Sequence, residues 1–182
     1  MRDLCADMLA DLLEKKFFLL LACLIFVLGI ITSFLTRNLA ESLLLLFIDS
    51  LQPHIVDRAF LPLALFILSR NTVALFLMVF LGAVFSIFPL LALFANGFIV
   101  GAALLVAPLS WWKILPHGIF EIPAIFIAAA YGLWLGLWPF AGMGTGELRN
   151  RLAICTCAYI KLILPLLILA GLVEATLITQ IR

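Results

Sequence analysis

Apolar runs of membrane-crossing length, broken by short polar interruptions, organise this chain. Residues 17–36 are almost entirely apolar, with Lys15-Lys16 before them and Arg37 after. About 20 such residues cross a bilayer as a helix, so this is the first predicted span. It lacks an A-x-A cleavage site and follows a polar stretch long for a signal peptide, which predicts a retained anchor. From Asn71 to Trp112 no charge occurs. Two crossings need about 40 residues, so this run reads as a hairpin of two spans, 71–87 and 89–107. The turn is placed at Ser86–Pro89, because proline suits the first position of a helix. Trp111-Trp112-Lys113 then reads as an interfacial belt. A fourth span is predicted at 115–138 and a fifth at 152–178, kinked near Pro165.

Shorter patterns fill the remainder. Leu4, Met8, Leu12 and Cys5, Leu9, Leu13 recur at helical spacing among Asp3, Asp7 and Asp11, predicting an amphipathic surface helix over 2–15. Leu39–Leu51 and Ala59–Leu68 are apolar, but runs of about 10–13 residues are too short to cross. They read as interfacial or re-entrant helices on either side of Gln52-Pro53-His54, or as a sixth span if 39–69 combine. The expected fold is therefore all-α: a polytopic transmembrane helix bundle of about five spans in one membrane domain, residues 1–182.

Composition agrees with this reading. The chain is 66% hydrophobic and only 12% charged, whereas soluble domains carry about 25% charged residues. The bilayer is thus the first partner. A formal net charge of +1 with no basic block gives no reason to expect nucleic-acid binding. Lys and Arg are evenly divided between the two sides of a five-span topology. The Lys15-Lys16 pair against the first span favours a cytoplasmic N-terminus in the cell membrane. Cys5, Cys23, Cys155 and Cys157 read as small apolar fillers. The glycine-rich segment around Gly142, Gly144 and Gly146 reads as a flexible connector, with Arg149 and Arg151 meeting anionic headgroups.

Ionisable residues inside apolar runs are the candidates for function, because a membrane places a high cost on them. His117 and Glu121 stand one helical turn apart on the fourth span, and Pro123 frees the carbonyl of Ile119 beside them. With Glu174, Arg70 and Asn71 at the same predicted level, they form a candidate polar cluster for a ligand or partner. A device that fixes helix register and a site that handles a proton, cation or ligand remain open for it. Lys161 reads as snorkelling to the inner interface. Asn96 is expected to bond across helices, and Gly97/Gly101 and Gly132/Gly136 to allow close packing within the chain or between copies. The two histidines fit no H-E-x-x-H pattern and no G-x-S-x-G elbow occurs. No catalytic residue, metal or cofactor is expected.

One combination is distinctive in its order. Lys15-Lys16 leads into the first span, Asn71 opens the next, and Asn96-Gly97 with Gly101 follows. Leu115-Pro116-His117-Gly118-Ile119-Phe120-Glu121-Ile122-Pro123-Ala124 comes after these, then Pro165–Ala170 with Glu174 and Thr176. In this the chain resembles the stage II sporulation protein M family over nearly its whole length. The resemblance implies a small polytopic membrane protein. The family's namesake is the membrane-embedded member of a complex with peptidoglycan-remodelling proteins, while many relatives occur in organisms that form no spores. It implies a non-enzymatic scaffold or assembly partner with membrane or extracytoplasmic protein partners. A small transporter or channel subunit using His117, Glu121 and Glu174 is the alternative.

Overall fold

The computed structural model describes residues 8–55, 59–84, 86–106, 111–141 and 145–180, with side chains at all of these except 54–55, 111–117, 141 and 145. Their secondary structure is helical, joined by turns. In chain order the helices are α1 (Met8–Glu14), α2 (Lys16–Leu35), α3 (Arg37–Ile55), α4 (Phe60–Phe80), α5 (Ile87–Val106), α6 (Trp111–Gly136), α7 (Thr145–Ala158) and α8 (Leu164–Gln180). Five stretches among the described residues are long and apolar enough to cross a membrane: Lys16–Leu35, Phe60–Ala83, Ile87–Val106, Gly118–Phe140 and Gly146–Gln180. The bundle is polytopic and all-α, the architecture in which a helix satisfies most of its backbone polar groups internally inside a bilayer.

α6 is the central helix. Buried positions make up 56% of its crossing window, against 22–33% for the other four. The reason lies in its composition: Ala124, Ala128, Ala129 and Ala130 are fully buried, and small side chains let neighbours approach from all sides. Leu75, Met78 and Val79 of α4, Leu93 of α5, and Cys155, Ile163 and Leu167 of the last span pack around it.

Two seams of glycine close the bundle. The most extensive helix pair is α2 with α5. A Cβ at Gly97 would collide with the Phe26 carbonyl, and one at Gly29 with the Phe94 carbonyl, so the two backbones touch. In the second seam a Cβ at Gly132 would strike the Met78 carbonyl, and one at Gly136 the carbonyl of Gly82 and Ser86. Between α4 and α5 the chain reverses through a 3-10 turn, Leu81–Ala83, and through Ser86, whose φ of 60° is left-handed. Ser86 is held there by its N–H donating to Gly82 O (2.9 Å) and its Oγ donating to Leu133 O (3.0 Å).

Several expectations need correction. The second crossing helix starts at Phe60 rather than Asn71, because 59–68 is no separate interfacial piece and continues through Arg70. The helix ends at Phe80 and the chain reverses through Leu81–Ala83 and Ser86, so of the expected turn Ser86–Pro89 only Ser86 takes part, and Pro89 is buried two residues inside α5. Residues 37–55 form one helix, with Pro53 inside it, that is not among the crossing stretches. Near Pro165, where a kink is expected, the chain takes a π-helical turn at Tyr159–Ile163, with Leu164 between it and the proline, which cannot donate to the ladder. Cys157 is disulfide-bonded, so it is no simple filler, whereas Cys23 and Cys155 are free. Residues 2–7 of the expected amphipathic helix, Cys5, and Gly142 and Gly144 lie outside the described residues.

Candidate functional site

At the end of the bundle where α2 begins, two cations are folded into the interior, each against a half-buried carboxylate. Lys15, in the turn between α1 and α2, is 5% exposed. Its Nζ donates to Asp11 Oδ1 at 2.6 Å and lies 4.3 Å from the centre of the Trp134 ring and 5.1 Å from that of Tyr131. The other Asp11 oxygen accepts a bond from Tyr131 Oη, also at 2.6 Å. Asp11 therefore spans two elements 120 residues apart in sequence.

Arg151, on the second turn of α7, completes the arrangement. It is 8% exposed, with Nε donating to Glu147 Oε1 (2.8 Å) and Nη1 to the Trp134 carbonyl (2.7 Å). Its guanidinium lies 4.7 Å from the Trp134 ring, so one indole serves two cations. Trp134 is in the last turn of α6, where the dipole is negative, and its carbonyl accepts a long bond from Leu137 N–H (3.3 Å). Arg151 supplies a second, shorter bond and the charge. The quartet of Asp11, Lys15, Glu147 and Arg151 sums to zero, which is what lets it sit largely out of water. Chemically it is a fastener of α1 and α7 onto the end of α6. Arg151 was expected at the headgroups, and the reason it is not there is this competing partner set.

Sequence reasoning missed this cluster, though part of its signal is visible. Asp11–Lys15 and Glu147–Arg151 are both acid-before-base pairs at the i,i+4 spacing. Their convergence on Tyr131 and Trp134 is a product of tertiary packing, which local spacing does not encode.

The expected polar group has a different fate at each member. His117 lies on α6, and its side chain lies outside the described residues. Glu121 on α6 and Glu174 on α8 are half-buried, and each is engaged in a polar or electrostatic contact. Arg70 is exposed on α4, with its guanidinium 5.1 Å from the Phe47 ring of α3. Among the described residues no carboxylate pairs with it. Asn71 beside it is half-buried, and the next residue, Thr72, accepts a 2.6 Å bond from Tyr159 Oη at its carbonyl. Among the described residues Thr72 Oγ1 has no hydrogen-bond partner. Arg70 and Asn71 thus lie inside a crossing helix instead of opening one. Asn96 donates to Ala92 O in its own helix (2.8 Å), not across helices as expected. Gly97, Gly101, Gly132 and Gly136 all face neighbouring helices of the same chain. Lys161, exposed on the π turn, is engaged in a contact of its own.

Among the described residues no group of three or more His, Cys, Asp or Glu is placed to hold a metal ion. Comparison with curated proteins and with solved structures finds no match. A match to stage II sporulation protein M over residues 18–179, from the first crossing helix through the last, makes this multi-pass membrane protein a member of that family.

Proposed function

We propose that the protein is a non-enzymatic membrane scaffold or assembly partner, held with its N-terminus on the cytoplasmic side. The observation that carries this reading is the pair of glycine seams. At Gly29/Gly97 and at Gly82/Gly132/Gly136, backbone meets backbone, which leaves no space for a permeation path between those helices. The charges at the Lys15 end are spent on one another, and the bundle presents its apolar side chains outward. Such a body offers surfaces to partners in the membrane.

A second reading, a small transporter or channel subunit, has one observation in its favour. The last crossing stretch is interrupted by the π turn at Tyr159–Ile163 next to Lys161, and broken helices are a feature of transporter sites. In that reading His117, Glu121 and Glu174 would carry a proton, cation or polar ligand. Proton and cation flux into vesicles reconstituted with wild type and with Glu121→Gln separates the two. The scaffold reading expects background flux from both proteins. Flux above background in wild type that is lost in Glu121→Gln would replace it with the transport reading.

A further inference from the structure

Three described cations of this chain bring their own carboxylate one helical turn away: Lys15 with Asp11, Arg37 with Glu41, and Arg151 with Glu147. Arg70 does not. The residues three and four positions from it are Phe66, Ile67, Val73 and Ala74. Its guanidinium lies over the Phe47 ring instead. Ten positions separate Arg70 from Phe60 and thirteen from Ala83, the two ends of the crossing stretch. At 1.5 Å per residue it stands about 15 Å from one end and about 20 Å from the other. An aromatic face offsets part of a cation's desolvation but supplies no counter-charge.

The surface around it is apolar and outward-facing. Val73 (58% exposed) and Leu77 (38%), three and seven positions on, lie on the same side of α4 as Arg70, with the exposed Ala74 beside them. A stripe of apolar side chains with one cation at mid-helix is complementary to an apolar helix with one anion at its middle. A headgroup level with either end of this stretch is about 15 Å or more from Arg70 along the helix axis, so its side chain would have to snorkel to reach one. A carboxylate carried on another crossing helix can meet it at depth.

We propose that the α4 face centred on Arg70 docks a membrane-crossing helix of a partner protein that carries an acidic residue near its midpoint. The guanidinium pairs with that carboxylate in the bilayer, and Val73, Ala74 and Leu77 pack against the apolar side chains around it. This rests on the scaffold reading and gives it a contact surface and a partner chemistry.

The test uses the full chain, labelled with a donor fluorophore, in zwitterionic phosphatidylcholine vesicles with acceptor-labelled Leu/Ala host helices. One host has a central Glu, a second a central Gln and a third a central Lys. Wild type is expected to bind the Glu helix roughly tenfold more tightly than the Gln helix, a factor typical of one polar contact within a bilayer. Arg70→Gln should lose this preference, and Arg70→Glu should transfer it to the Lys helix. Equal binding of Glu and Gln helices, or a preference that survives in Arg70→Gln, overturns the proposal. So does an Arg70-dependent dimer in single-molecule photobleaching, which would make the occupant a second copy. An Arg70-dependent association with phosphatidylglycerol and no helix preference would assign the contact to lipid instead, and also overturns it. If helix binding fails while vesicle flux stays at background, the surface is wrong and the scaffold reading stands.

Discussion

Lys15 and Lys16 are identical side chains in adjacent positions with opposite environments. Lys16 is exposed, while Lys15 is enclosed by Asp11, Tyr131 and Trp134. Removing one partner of a buried ion pair costs about 3–5 kcal/mol. Asp11 keeps 24% of its side-chain surface exposed and can regain some hydration. Lys15→Ala is therefore expected to lower unfolding stability by about 2–4 kcal/mol, and Lys16→Ala by less than about 0.5 kcal/mol. Tyr131→Phe removes only the bond to the carboxylate, at about 1–3 kcal/mol. Denaturant unfolding in micelles measures all three. A double-mutant cycle of Asp11→Ala with Tyr131→Phe should show coupling, and strict additivity would mean that the two side chains do not meet.

At the level of helices, the glycines divide into those that meet another backbone and those that do not. Gly97→Ala and Gly132→Ala must push α2 or α4 outward, at about 1–3 kcal/mol each. A Cβ at Gly146, in the first turn of α7, would meet nothing within 4 Å. Gly146→Ala should leave thermal stability unchanged or raise it slightly, by up to about 1 kcal/mol. Equal melting temperatures for Gly97→Ala and Gly146→Ala would rule out the seam. Much of this scale was legible in the sequence. The number of crossings follows from run length, and the glycine pairs stand out at helical spacing. The start of α4 did not, because Arg70 looks like a boundary when only its charge is considered. The apolar residues on both sides carry the helix past it. The Lys15 cluster was half legible, through its two i,i+4 pairs. Their meeting on Trp134 required the packing of α1 and α7 against the end of α6.

Taken whole, the molecule spends its polarity unevenly. At the Lys15 end the charges cancel in a largely buried quartet that fastens three helices. Farther along the bundle, Glu121 and Glu174 are engaged, and Arg70 faces outward. This distribution, and every assignment of a side, depends on five crossings with α3 joining the first to the second without crossing. Single cysteines at Gln52 on α3 and at Asn150 on α7, in a background lacking the native cysteines, test that directly with an impermeant thiol reagent. Five crossings predict that the two positions react from opposite faces of sealed vesicles, with Asn150 on the same face as the N-terminus. Reaction of both from one face would contradict the five-span bundle.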